Sequence, residues 1–198
     1  MTEDNQYGIP TLPHSIYRSQ IFDIDNIRDS PEQNLFIEAF RWLEERICQP
    51  HRALGRDGNV CPFAGKSIRA NAMRFVALYG ARGSAKDAQA ACLQLIDLFW
   101  NIFPFEPVEE LQSLITIFPD LREDEAAAFI DGGHQVMRHQ FLAAGLALGE
   151  FHSASKTQGV HNPDFSAMWA PLPVFVIRRV LIHDALFVGR GIILLKSE

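Results

Sequence analysis

The chain has no apolar run of the roughly 18 residues that a membrane-spanning helix needs, so no membrane segment is expected. Cysteine is scarce: Cys48, Cys61 and Cys92 are the only three, at wide and irregular spacing. An odd number so placed makes a poor disulfide framework. Neither a Cys-x-x-Cys pair nor a four-ligand zinc pattern occurs. A reducing, cytoplasmic setting is the expectation. Positive charge is also in deficit, with 18 Lys and Arg against 24 Asp and Glu and a net charge of −6. Nucleic-acid binding needs a basic surface to displace counterions, so none is expected. Met1–Gln6 is polar and acidic, whereas a signal peptide opens with a basic segment and an apolar core.

Core-forming material is plentiful. Hydrophobic residues make up 47% of the 198 residues, which suits one well-buried domain. Residues 1–29, with Pro10, Pro13, Ile9, Ile16, Tyr17, Ile21 and Phe22, read as an extended arm. Residues 30–198 read as the single domain on which it packs. Ser30-Pro31 is a helix start, and Leu35, Phe36, Ala39, Phe40 and Leu43 recur at helical spacing before Pro50. Met73–Tyr79 is an apolar run closed by Gly80 and reads as a strand. Ser84 caps a second helix reaching Phe103, and Leu111–Phe118 reads as a second strand.

Glu123–Glu150 reads as a long helical segment, weakened or broken at Gly132-Gly133 because each glycine costs about 1 kcal/mol relative to alanine. Its part Phe141–Leu148 is apolar all round, as in a helix buried on most sides. Residues 151–171 read as loop, Val174–Leu181 as the last long strand and Ile192–Leu195 as a further one. The expected fold is α+β, a small and mainly antiparallel sheet with helices packed on it.

Three places could carry chemistry. In the first, glycines 55 and 58 lead to Cys61, and Pro62 pushes Cys61 toward an extended backbone. With Arg56 and Lys66 near in sequence, the Cys61 thiolate could be a nucleophile or metal ligand. A small buried side chain is the plain alternative. Gly65-Lys66-Ser67 is no phosphate-binding loop, since Val60 stands where that motif needs glycine.

The second place is His134, which Arg138, Phe141, Gly145 and Leu148 follow at helical spacing, a stripe able to line a cofactor site with Phe141. The Arg138 charge favours the neutral, metal-binding imidazole. An exposed or hydrogen-bonded histidine is the plain alternative. His139, five residues on, faces away from His134. The third place is the loop bracketed by Glu150, His152, His161, Asn162 and Asp164, whose histidines and carboxylates are suited to acid–base work. Asn162-Pro163-Asp164 is also simple turn chemistry. Finally, Arg178-Arg179 interrupts an apolar strand, and the side chain turned inward needs an anionic partner, a ligand or a carboxylate of the chain.

Taken in order, several motifs resemble an uncharacterised microbial domain family often encoded near small-molecule biosynthetic genes. They are Arg56-x-Gly58-x-Val60-Cys61-Pro62-Phe63, Phe118-Pro119, Gly145-Leu146-x-Leu148-Gly149-Glu150-Phe151-His152, His161-Asn162-Pro163-x-Phe165, and Pro171-x-Pro173 with Arg178. The resemblance spans roughly residues 50–190. A looser likeness is to the YqcI/YcgG family, which includes haem enzymes of nitrogen-compound metabolism. That family has Pro-Cys where this chain has Cys61-Pro62, and its later Ser-Arg-rich motif is missing here.

The likeness implies a haem-dependent oxidoreductase, or a related enzyme, acting on a small molecule of secondary metabolism. Cys61, His134, His152 or His161 would ligate the iron, and Arg56, Arg138 or Arg178 would hold a propionate or substrate carboxylate. A cofactor-free enzyme with Cys61 as nucleophile and His152 or His161 as base is the second reading. A non-enzymatic binding or subunit-interaction domain is the third. A homodimer is the expected assembly on general grounds.

Overall fold

Two apolar runs from the middle of the chain lie side by side in parallel and set the frame of the fold. In the computed structural model, which describes residues 16–103, 109–159, 161–181 and 184, these runs are strands β3 (Met73–Tyr79) and β4 (Ser113–Ile117). The short strands β1 (Tyr17–Arg18) and β2 (Phe22–Asp23) pair antiparallel with β3. Strand β6 (Val174–Arg179) pairs antiparallel with β4, and β5 (Leu146–Phe151) with β6. The sheet order is β1-β3-β4-β6-β5, with β2 also on β3.

The sheet is therefore mixed, which corrects the expectation of a mainly antiparallel one. The cause is the link between its central strands. A parallel pair cannot be closed by a hairpin and needs a crossover. Helix α3 (Ala85–Ile102) supplies it, starting where Ser84 Oγ accepts the Asp87 N–H at 3.1 Å.

All five residues of β4 are buried, so both faces of the sheet must be covered. On one face Val76, Leu78, Leu114, Phe175 and Ile177 pack with Ala88, Leu95 and Phe99 of α3 and with Met137 and Phe141 of helix α5 (Gly132–Ala143). On the other, Phe75, Ala77, Ile115, Ile117 and Val174 pack with Phe36, Ala39 and Trp42 of helix α1 (Gln33–Trp42). Helix α1 begins two residues after Pro31. Ser30 Oγ accepts the Glu32 N–H just ahead of it. It runs on through a π-helical turn, Leu43–Ile47, and stops before Pro50. Helix α2 (Ala64–Arg69) follows Cys61 and was not anticipated from periodicity, because six residues are too few to show one.

The segment expected to be helical from Glu123 to Glu150 behaves differently. Helix α4 (Glu123–Ala126) passes through a second π-helical turn, Ala127–Asp131, straight into α5. Gly132 and Gly133 do not break it. Gly133 instead lets α5 approach the core: a Cβ there would sit 2.7 Å from Ala88 Cβ and 3.1 Å from the Phe175 ring. The helix ends at Ala143, and Gly145, at φ +74°, makes the left-handed step beyond it. Leu146–Phe151 is then a strand, with Leu146, Leu148 and Glu150 buried in alternation. The apolar run read as a helix buried all round is thus half helix end and half strand.

Among the described residues no helix is long and apolar enough to cross a membrane. The expectations for Ile9, Pro10, Pro13 and Ile192–Leu195 fall outside the described residues.

Gly133→Ala adds a methyl group where Ala88 and Phe175 leave no room. Even after the helix-propensity gain, it is expected to lower stability by about 1–2 kcal/mol, read as a shifted urea midpoint at constant slope.

Candidate functional site at the junction of α5 and β5

Asp131 and His134 lie one helical turn apart where the second π-helical turn enters α5, so they share a face. Glu150 is the inward-facing residue near the end of β5, and His152 lies two positions on, on the same side. The two sets meet. His134 Nε2 is 3.4 Å from Glu150 Oε2, and His152 Nε2 is 3.0 Å from Asp131 Oδ1. Two histidine–carboxylate pairs therefore stand next to each other across the helix and the strand.

Their environments differ. The His152 side chain is 1% exposed and Glu150 11%, whereas His134 is 26% and Asp131 45% exposed. Burial is the main reason that the Glu150 carboxyl is pushed up from 4.5 to about 7. The negative charge of Asp131 adds to the rise, and a hydrogen bond from Glu150's own backbone opposes it. Burial also holds His134 below the ordinary histidine range. Arg138 adds to that lowering and Asp131 works against it. The His134–Glu150 contact is therefore not an ordinary ion pair. Burial works against the charged form of both partners.

His152 is held differently. With Nε2 against the Asp131 carboxylate, the Nε2–H tautomer donates to it. The Nδ1 atom is buried with no hydrogen-bond partner among the described residues. The ring is oriented by Asp131 on one side and by its own backbone on the other. Its N–H donates to Met168 O at 3.3 Å, and its carbonyl accepts from the Ala170 N–H at 3.3 Å.

The other residues singled out in the sequence are scattered. Cys61 packs half-buried with the cluster on the α1 face, so the sheet stands between it and the α5 face that carries His134. Among the described residues no hydrogen bond joins Cys61 to His152 or His161. Arg56 is exposed and turned back on its own loop, donating to the carbonyls of Asp57, Asn59 and Val60 at 3.0 Å each. His161 is exposed, and its carbonyl lies against Gly55, where a Cβ would come within 2.8 Å of it. Asn162 makes the turn, accepting the Asp164 N–H at 3.0 Å, and also donates to Ala53 O at 2.7 Å. The segment after β5 is thereby pinned to the Cys61 loop by backbone and amide contacts. Arg46 adds to this anchorage, lying between the rings of Phe165 and Trp169 at 5.2 and 5.0 Å.

Phe141 is fully buried core. Of its expected stripe, Arg138 is exposed on α5, Gly145 lies past the helix end, and Leu148 is in β5. Arg178 is bound by Asp184 through two bonds of 2.7 and 2.6 Å, and Arg179 reaches Glu109 at 3.3 Å. The anionic partners expected for the strand arginines are therefore carboxylates of the chain.

The expected haem-binding residues do not converge. A thiol lies on one face of the sheet, two histidines already paired with carboxylates lie on the other, and Arg56 and Arg178 are engaged elsewhere. They therefore do not line one shared site. Among the described residues no group of three or more His, Cys, Asp or Glu could hold a metal ion.

The family model of a domain of unknown function, DUF6875, matches residues 36–193. The chain belongs to that family. No curated protein and no solved structure gives a match. The DUF6875 span starts inside α1 and takes in β3 to β6 and all four residues of the histidine–carboxylate cluster. An uncharacterised domain family was the expectation, and the family's description carries no activity with it.

Asp131 was missed in the sequence because only its helical spacing from His134 marks it. The link between His134 and Glu150 was missed because both were read on one helix.

Glu150→Gln tests the burial that raises the carboxyl. A carboxyl held above its unfolded value gives stability that is complete below pH 4.5 and lost as pH rises through about 7. The glutamine variant, which does not titrate, is expected to exceed the parent in stability by about 2–3 kcal/mol at pH 8. The difference is expected to vanish near pH 4, checked by urea denaturation at both values.

Proposed function

We propose that this protein is an enzyme that moves a proton on a small, negatively charged organic molecule, with Glu150 and His134 as its acid–base pair. The observation that carries the reading is the 3.4 Å His134–Glu150 contact, in which burial tunes the carboxyl to about 7. A general acid or base works best when its pKa lies near the working pH. Perturbed titrating groups gather at functional sites more often than elsewhere.

Each member has a task. Glu150 as carboxylate takes a proton from the substrate, or as carboxyl gives one. His134 is partly exposed and relays that proton to or from water, so that the pair returns to its starting state. Arg138 follows His134 by one turn and has no hydrogen bond or ion pair among the described residues. Its free guanidinium is suited to a carboxylate or phosphate of the substrate. The His152–Asp131 pair fixes the end of β5 and keeps a negative charge near Glu150.

Solvent exchange tests this without knowledge of the full reaction. A panel of small carboxylic and phosphorylated acids incubated with the protein in D2O is followed by proton NMR. Enzyme-dependent loss of a carbon-bound proton signal is expected for at least one member. That rate is expected to fall at least about 100-fold in Glu150→Gln. Arg138→Gln is expected to raise the concentration needed for half-maximal exchange by about 10-fold at a similar limiting rate. An exchange reaction that Glu150→Gln catalyses as well as the parent would overturn the assignment.

Haem chemistry, the reading implied by the YqcI/YcgG likeness, has its own measurement. Because Cys61 and His134 lie on opposite sides of the sheet, a Soret band on haem titration of the purified protein is expected to respond to at most one of Cys61→Ser and His134→Ala.

A further inference from the structure

Cys48 follows the first π-helical turn, and Cys61 stands three residues before α2. They are thirteen positions apart in sequence, but the chain folds them together. The Val60 N–H donates to Gln49 O at 3.0 Å and the Cys61 N–H to Ile47 O at 2.9 Å, while Pro50 and Asn59 form an antiparallel bridge. The acceptor of the Cys61 bond is the carbonyl that directly precedes Cys48. Standard bond lengths on either side of that contact hold the two α-carbons within about 7 Å, the span that a disulfide covers. Both thiols are free and half-buried in the same apolar cluster. Cys48 Sγ also faces the first turn of α2, where it would lie 3.9 Å from a Cβ at Gly65.

We propose that Cys48 and Cys61 are a peroxide-sensitive dithiol that closes into a disulfide across the neck of the loop between them. In the first step the Cys61 thiolate attacks one oxygen of a hydroperoxide. The O–O bond breaks, Cys61 becomes a sulfenic acid, and water or an alcohol leaves. In the second step Cys48 sulfur attacks the sulfenic sulfur, the S–O bond breaks and water leaves. The two thiols are oxidised by two electrons and the peroxide is reduced by two. A thiol reductant reverses the change.

The order of attack follows from the surroundings. Burial first, then the neighbouring Cys61 and Glu44, push the Cys48 thiol up, with Arg69 opposing. A thiol pushed up in this way is a weak first nucleophile, which assigns Cys48 as the resolving partner. Cys92 is fully buried and pushed up by burial, and serves as an internal control. The consequence lies in the loop that the bond would close. It carries Gly55 and Ala53, against which His161 and Asn162 dock. Oxidation would fix the platform under the segment that follows β5. The inference does not depend on the acid–base reading of Glu150.

The test uses the full chain. The reduced protein is exposed to a small excess of hydrogen peroxide, alkylated, digested and analysed by mass spectrometry. The expected product is a Cys48–Cys61 cross-linked peptide pair lighter by two hydrogens, with alkylatable thiols falling from three to one. The thermal midpoint should rise by about 5–10 °C and return with dithiothreitol. In Cys48→Ser, Cys61 should stop at a sulfenic acid that dimedone traps, and Cys92→Ser should behave as the parent. Three thiols still alkylatable after peroxide would overturn the proposal. So would over-oxidation of Cys61 with Cys48 present, or disulfides formed only between chains.

Discussion

The parallel pairing of β3 with β4 is the constraint from which the rest follows. A strand buried on both faces cannot stop at one layer of cover, because each bare face would leave apolar side chains in water. The crossover that parallel pairing demands supplies α3 for one face, and α1 is left to cover the other. Two apolar clusters result, one on each side of a single sheet. That division also sorts the chemistry. Residues that seem neighbours in the sequence, such as Glu150 and Phe151, point into different clusters, Glu150 toward α5 and Phe151 toward Trp42. The cysteines at 48 and 61 belong to one side and the paired histidines to the other.

The strands and helices with unbroken periodicity were legible from sequence. Met73–Tyr79 has the predicted bounds, and α3 starts after the predicted Ser84 cap. What failed was a region where two periods overlap. From Phe141 to Leu148 almost every residue is apolar, so neither a helical nor an alternating pattern stands out. The deciding residue is Gly145, whose left-handed backbone ends the helix and launches a strand. Gly132-Gly133 misled in the opposite direction. A propensity penalty of about 1 kcal/mol per glycine is small beside the packing that Gly133 permits against Ala88 and Phe175.

The candidate site shows the same limits. Glu150, His134 and His152 could each be named from residue type, but their partners could not, because the pairing depends on a strand that was read as helix. Asp131 carried no local signal beyond its spacing. One strand arginine was expected to need an anion, yet sequence could not say that Asp184 would bind Arg178 and Glu109 would reach Arg179. Cys61 drew attention through Pro62 and the glycines around it, whereas its structural companion is Cys48, thirteen residues upstream.

The π-helical turn at Ala127–Asp131 has a geometric meaning of its own. Such a turn acts as one added residue in an otherwise regular helix, and each residue of a helix accounts for about 100° of rotation. Everything after it is swung around the helix axis by that angle. Loss of one residue from the turn would leave α5 the same length and nearly as apolar, yet α5 cannot then keep both its present phase to α4 and its Gly133, Met137 and Phe141 in the core. The aim of the site is thus a matter of helical phase, fixed upstream of the residues that perform the chemistry.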